Sequence, residues 1–130
     1  MVYWLHGNAC NQLRYLTFNL TEVVMAIEIK NLRKVKPSQP WDVKIDRSSP
    51  LGNDFYMDDE SQRDKVCDEY DAWLELRINE CNTQVCDELN RLIEIYRKYE
   101  QLNLFCWCAP KRCHGESIRK AIASMYDAYK

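Results

Sequence analysis

The sequence predicts a small α/β domain with a short, mostly parallel sheet and about three helices. The chain has 130 residues, which fits one domain with a core of its own. Short alternating segments come first, two long segments with helical spacing follow, and a buried strand, a turn and a helix come last. Strands separated by helices favour parallel pairing, because the helix returns the chain to the starting edge of the sheet.

The two N-terminal strands are indicated by alternation. Residues 26–32 and residues 41–46 each alternate apolar with charged side chains, which is the period of a strand with one buried face. Pro37 and Pro40 favour an extended connection between these strands. The turn-rich residues 47–53 end the second strand.

Two helices are predicted over residues 59–78 and 83–100, and Asp58 or Asp59 is available to cap the first. Acidic residues crowd the front of each helix, where they suit the helix dipole. The apolar face of the first helix comprises Val66, Tyr70, Trp73, Leu74 and Ile78, and that of the second comprises Val85, Leu89, Leu92, Ile93 and Tyr96.

A buried strand is predicted over residues 102–107 and a final amphipathic helix over residues 117–129. Together these elements favour a three-layer domain, a mostly parallel sheet with helical cover, over residues 26–130. In such sheets ligands bind beyond the carboxyl ends of the strands, which directs attention to the turn after Trp107.

Residues 1–25 are expected to be an N-terminal extension outside this domain. Polar residues interrupt their apolar runs, so they lack the continuous apolar core of a signal peptide or a membrane-spanning helix. The chain has seven cysteines, an odd number that argues against a secreted disulfide framework. We therefore expect reduced thiols in a cytoplasm and no membrane partner.

The segment Cys106–Glu116 carries the most chemistry, and its favoured interpretation is an anion site. Lys111 and Arg112 lie just before a helix start, where backbone N–H groups and the helix dipole attract negative charge. Gly115 would belong to this helix-start cradle, and Trp107 would offer a stacking surface. The thiols would then pack as small apolar groups.

Two other interpretations of this segment stay open. Cys106, Cys108, Cys113 and His114 have the ligand chemistry of a zinc site, although all four come from one short segment. Cys113 beside Lys111 and Arg112 could instead have the lowered pKa of a nucleophile. If the domain is catalytic, the candidate catalytic residues are Cys113, His114 and Glu116. No cofactor is favoured, and zinc is the alternative.

The segment Arg47–Phe55 is the second candidate for the site. Gly52 allows close backbone approach and Asn53 tolerates unusual backbone angles, so a simple turn explains both residues. If this turn lies beside the cysteine-rich segment, Arg47 could contact an anion in bidentate fashion. Ser49 and Asn53 would then supply hydrogen bonds.

The two segments together resemble an uncharacterised bacterial and phage family. That family has an R-x-S-P-L-G-N-x-F turn and a C-W-C-x-P-x-x-C-H-G-[DE] motif. The matching residues are Arg47, Ser49, Pro50, Leu51, Gly52, Asn53 and Phe55, and then Cys106, Trp107, Cys108, Pro110, Cys113, His114, Gly115 and Glu116. The likeness covers about residues 27–122, with Asp54 where members often have proline. It implies that both segments belong to one site, in a host cytoplasm if the chain is phage-encoded. The strand-to-helix Cys-His element also resembles one in another uncharacterised family with a C-x-E and then a C-H-R pattern, and this second resemblance implies a Rossmann-like fold.

The resulting hypothesis is a protein that binds a phosphate-bearing ligand, a nucleotide or a nucleic-acid end, with or without catalysis. One alternative is an accessory protein that binds a host protein through its acidic helices. Charge reversal at Asp64, Asp68, Asp71 and Glu75 would test this interface. The other alternative is a zinc- or thiol-dependent enzyme.

Overall fold

Three short strands form one parallel sheet in the computed structural model, which describes residues 26–128. The strands are β1 (Ile27–Asn31), β2 (Asp42–Lys44) and β3 (Leu102–Cys106), in the spatial order β1-β3-β2. Leu104 of β3 is the register partner of Ile29 on one side and of Val43 on the other. All five residues of β3 are buried, as expected for a central parallel strand.

The helices are α1 (Arg63–Asn79), α2 (Thr83–Tyr99) and α3 (Gly115–Ala128), and a 3-10 turn over Glu60–Gln62 leads into α1. The Asp59 carboxylate accepts a bond from the amide of Ser61 at 2.8 Å, so the predicted acidic cap is present at the 3-10 turn. Asn82 caps α2 by accepting from the amide of Val85 at 3.1 Å.

The core lies where the helices pack on one another and against the sheet, because each helix turns its apolar stripe inward. Its largest fully buried side chains come from every layer of the domain: Ile27, Ile45, Leu51, Tyr70, Leu89, Leu92, Ile93, Leu102, Leu104, Phe105 and Ile118. The predicted small α/β domain with about three helices is confirmed. The Rossmann-like arrangement stays a prediction.

Several boundaries differ from the predictions. α1 begins at Arg63, four residues after the predicted start, because residues 60–62 form the 3-10 turn. β2 ends at Lys44 and β3 ends at Cys106, both earlier than expected. α3 begins at Gly115, two positions before the predicted start, since the amides of Glu116 and Ser117 already bond to the carbonyls of Cys113 and His114. The predicted N-terminal extension lies outside the described residues. Within residues 26–128 no helix is long and apolar enough to cross a membrane.

Candidate functional site

A pocket of about 440 Å³ opens beyond the carboxyl ends of β2 and β3. Its size is within the range of small-molecule sites, and its place is where parallel α/β sheets bind ligands. The lining residues come from the Arg47–Phe55 segment, from α1 and from the Cys106–Glu116 segment: Asp46, Arg47, Ser48, Asn53, Phe55, Tyr56, Met57, Arg63, Val66, Cys67, Cys106, Trp107, Cys108, Cys113 and His114. The two motifs are therefore neighbours in space.

The Arg47–Phe55 turn is held by bonds between its own side chains and backbone. Arg47 Nε donates to the carbonyl of Asn53 at 3.0 Å, and Asn53 Oδ1 accepts from the amide of Phe55 at 2.8 Å. The hydroxyl of Ser49 accepts from the amide of Leu51 at 3.0 Å. Arg47 and Asn53 reach the pocket, whereas Ser49 is used inside the turn.

Gly52 is required by the backbone of this turn. A Cβ atom at position 52 would lie 2.5 Å from the carbonyl oxygen of Asp46 and 2.6 Å from Cα of Arg47. Both neighbours are backbone atoms, which cannot rotate away. The glycine therefore lets the turn fold back on itself, and it does not line the pocket.

The turn after β3 is fastened to the sheet by Asn31. The amide nitrogen of this side chain donates to the carbonyl of Ala109 at 2.7 Å, and the amide of Leu32 donates to the carbonyl of Cys106 at 2.8 Å. Because β3 ends at Cys106, Cys108 belongs to the turn that follows the strand. Cys106 is buried and Cys108 is half-buried.

The sulfurs of Cys106 and Cys113 lie 3.2 Å apart at the buried side of the pocket. A hydrogen bond between the two thiols, together with the amide N–H groups of Cys108 and Ala109, lowers the pKa of Cys106 despite burial. The same bond, and then burial, raise the pKa of Cys113. Within this pair the thiolate is therefore favoured at Cys106 and not at Cys113, where the sequence suggested a lowered pKa.

His114 is a buried, neutral side chain. Its Nε2 lies 2.5 Å from the carbonyl oxygen of Ile45, which can only accept, so Nε2 carries the proton. The ring also stands edge-on to Tyr70, with centroids 5.0 Å apart. Burial lowers the pKa of His114, against the smaller opposing influences of Ile45 and Asp46.

Lys111 and Arg112 lie outside the pocket lining and contact acidic residues at the start of α1. Lys111 Nζ lies 3.3 Å from Glu60, and Arg112 donates to Asp64 at 3.0 Å and to Asp68 at 2.8 Å. These contacts fasten the cysteine-rich turn to α1. Two of the acidic residues predicted as a partner interface therefore already have a basic neighbour within the chain.

Gly115 and Glu116 form the first turn of α3 and do not line the pocket. A Cβ on Gly115 would lie 3.1 Å from Cδ1 of Ile45 and 3.3 Å from the sulfur of Cys113. Close packing of the helix start against the sheet therefore explains this glycine.

No group of three or more histidine, cysteine, aspartate or glutamate side chains among the described residues is arranged to hold a metal ion. Of the four predicted zinc ligands, Cys106 and Cys113 bond to each other and His114 Nε2 bonds to a carbonyl. A metal at this position would have to replace those contacts, and zinc stays an untested prediction.

Six lining residues were missed by sequence reasoning, namely Asp46, Tyr56, Met57, Arg63, Val66 and Cys67. Three of them share a signal, because Arg63, Val66 and Cys67 lie on the helix face that continues to Tyr70. Arg63 donates to Glu60 at 2.7 and 2.8 Å and to the carbonyl of Arg112 at 2.9 Å. It thereby joins α1 to the cysteine-rich turn.

The fold and the pocket define a small parallel α/β domain with a cavity at the carboxyl edge of its sheet. The chain belongs to the family described as domain of unknown function (DUF4326), whose family model matches residues 29–124 and so includes both motifs. The predicted resemblance to an uncharacterised family is confirmed. Searches of curated proteins and of solved structures gave no match.

Proposed function

We propose that the pocket binds a nucleotide or the end of a nucleic-acid strand, with its phosphate on Arg47. The observation that carries the proposal is the state of this guanidinium. Nε donates to Asn53 and the group lies 4.3 Å from the ring centroid of Tyr56, while its two terminal nitrogens have no hydrogen-bond partner within residues 26–128. Those nitrogens form the fork that matches phosphate oxygens.

Two exposed aromatic rings beside the pocket support a base-bearing ligand. Tyr56 is 78% exposed and Trp107 is 50% exposed, and both line the pocket. Stacking of a base on such a ring contributes about 1–3 kcal/mol. Phe55, Met57 and Val66 line the cavity with apolar side chains, so the cavity suits a base better than a bare inorganic anion.

The charge of the protein favours a small ligand or a strand end over a long duplex. The net charge of the chain is −2, and the acidic start of α1 already pairs with Lys111 and Arg112. Long duplexes are bound through many phosphate contacts, which need an extended basic surface. Arg47, in a single pocket, can bind one phosphate group.

Calorimetric titration of the full chain with mononucleotides, and with short single strands with and without a 5′-phosphate, tests the proposal. We expect one class to bind, and we expect Arg47→Gln to weaken it by roughly tenfold or more, since a charged hydrogen bond contributes about 1.5–3 kcal/mol. Trp107→Ala should also weaken binding, whereas Trp107→Phe should retain most of it.

Two matched variants separate the pocket from general charge. Arg97→Gln removes a surface arginine that pairs with Glu94 on α2, and Arg91→Gln removes another that pairs with Glu88 on the same helix. Both should bind nearly as the parent does. The proposal is wrong if no nucleotide or oligonucleotide binds, or if Arg47→Gln binds as tightly as the parent chain.

A second candidate function is docking of a basic partner protein on α1, where Asp64, Asp68, Asp71 and Glu75 are all exposed. Reversal of Asp71 and Glu75 is the informative variant, because Asp64 and Asp68 bond to Arg112 and their reversal would also disturb the cysteine-rich turn. Loss of a copurifying partner in that variant, with retention after Arg47→Gln, would favour docking over nucleotide binding.

A cytoplasmic location is part of the proposed function, and the free thiols of the six described cysteines fit such a location.

A further inference from the structure

We infer that Cys106 and Cys113 form a redox-active dithiol, which a small hydroperoxide entering the pocket oxidises to a disulfide. The two sulfurs are 3.2 Å apart, and both cysteines line the pocket although their side chains are otherwise buried. A disulfide bond is about 2.05 Å long, so the sulfurs need to approach by about 1 Å. The inference concerns the thiols alone and does not depend on the proposed nucleotide.

The positions of the two cysteines make such an approach feasible. Cys106 is the last residue of β3, and Cys113 lies two positions before α3, so the turn between them joins two rigid elements. That turn is exposed at Trp107, Pro110 and Lys111. An exposed turn can absorb a small displacement more easily than the packed strand or helix on either side.

The groups around Cys106 favour it as the attacking sulfur. Beside the 3.2 Å contact between the two sulfurs, the hydrogen bond with Cys113, the amide N–H groups of Cys108 and Ala109 and the charge of Arg63 lower the pKa of Cys106 despite its burial. Cys113 receives one amide N–H, from Gly115 at 3.3 Å. Donors that converge on a sulfur stabilise its thiolate, which is the nucleophilic form.

The reaction balances with one hydroperoxide per pair. The Cys106 thiolate attacks the terminal O–H oxygen of the hydroperoxide, the O–O bond breaks, and a sulfenic acid forms while an alkoxide leaves, or hydroxide in the case of hydrogen peroxide. The Cys113 sulfur then attacks the Cys106 sulfur, the S–O bond breaks, and the sulfenic oxygen leaves as water with the Cys113 proton. Two electrons pass from the sulfurs to the peroxide, and the product is the disulfide.

The choice of this pair over the other thiols of the pocket also rests on contact. Cys67 and Cys108 line the same cavity, but the close sulfur–sulfur contact is the one between Cys106 and Cys113. A sulfenic acid at Cys106 would therefore meet Cys113 before either of the others. Cys81 and Cys86 are not part of the pocket lining.

The test is peroxide treatment of the reduced full chain, followed by alkylation and tryptic peptide mapping. Trypsin cuts after Lys111 and after Arg112, which separates Cys106 from Cys113, so their two peptides stay joined only through a disulfide. We expect an equimolar amount of hydrogen peroxide to join these peptides with loss of two hydrogen atoms. The joined species should disappear on reduction.

Three variants assign the roles. Cys113→Ser should leave a Cys106 sulfenic acid that a 1,3-diketone probe traps, Cys106→Ser should give neither product, and Cys108→Ser should form the joined peptides as the parent does. First oxidation at Cys81 or Cys108, or equal trapping at Cys106 and Cys113, would overturn the inference. Residues 99–111 form one tryptic peptide that carries both Cys106 and Cys108. Fragmentation of the joined species from the parent chain locates the disulfide on one of these two cysteines and decides the matter even if a variant fails to fold.

Discussion

The hydroxyl of Tyr70 donates a hydrogen bond to the carbonyl oxygen of Leu51 at 2.6 Å. Both side chains are fully buried, and burial raises the pKa of Tyr70. This bond joins α1 to the Arg47–Phe55 turn, so the helix that carries Arg63 and the turn that carries Arg47 are fixed relative to each other. The ring of Tyr70 also packs against His114, so the Cys106–Glu116 segment is held against α1 by the same tyrosine.

Tyr70→Phe should destabilise the protein by about 1–3 kcal/mol, because it leaves the buried carbonyl of Leu51 without its donor. Urea denaturation measures the free energy of unfolding. Tyr99→Phe, on a half-buried ring near Trp41, is the control and should change it little. Equal stability of Tyr70→Phe and the parent would mean that water or another donor replaces the hydroxyl.

Gly52→Ala should be far more damaging than Gly115→Ala. At position 52 the new methyl group meets backbone atoms at 2.5 and 2.6 Å, whereas at position 115 its close neighbours are side-chain atoms at 3.1 and 3.3 Å. Overpacking against backbone costs about 1–3 kcal/mol or more. Melting temperatures of the two variants rank the effects, and the opposite ranking would contradict the turn geometry.

The stability of the protein should fall as the pH is lowered from about 7 to about 5. The pKa of folded His114 lies below its ordinary value of 6.5, so in this window the unfolded chain binds a proton that the folded chain does not. Protonation of the unfolded chain then favours unfolding. His114→Gln keeps a donor for the carbonyl of Ile45 and should reduce the slope, measured by urea denaturation at each pH. The lowered pKa of Cys106 contributes a loss of the same sign as the pH falls through about 6, and this part should remain in the variant.

His6 is the only other histidine of the chain, and His6→Gln is the matched control. It should keep the slope of the parent between these pH values. A slope that is unchanged in His114→Gln and reduced in His6→Gln would refute the assignment to His114.

Removal of divalent metal should leave the melting temperature unchanged. His114 Nε2 is bonded to Ile45, and the Cys106 sulfur is bonded to Cys113, so the predicted zinc ligands are occupied by protein contacts. Thermal unfolding with and without a chelator, paired with elemental analysis, checks this expectation. One zinc per chain that is lost in Cys108→Ser would contradict it and establish the metal site.

The order and type of the elements were predictable, because the periodicity of a helix or a strand can be recognised from residues that are close together in the sequence. Apolar spacing located α1 and α2, and the continuous apolar run located β3. The ends of β2 and β3 were less accurate, since a strand ends where its partner ends. Val43 has such a partner in Leu104, and that relation is absent from the local sequence.

The site was partly predictable for the same reason. The rule for parallel sheets located the pocket, and Arg47, Asn53 and Trp107 do line it. Lys111 and Arg112 were predicted as anion ligands, but they form ion pairs within the chain. Their partners Glu60, Asp64 and Asp68 are distant in the sequence, so no local pattern reveals these pairs. The roles of Cys106 and Cys113 also depended on which backbone amides surround each sulfur, and no spacing rule supplies that.

The position of β3 between β1 and β2 has a consequence for biosynthesis. The central strand is the last of the three to leave the ribosome, so β1 and β2 have no neighbour to pair with until residues 102–106 emerge. Contacts of such long sequence separation slow folding, because a long loop must close first. Truncation before β3 should therefore release a chain without a sheet, and the nascent helices would carry exposed apolar faces until synthesis reaches that strand.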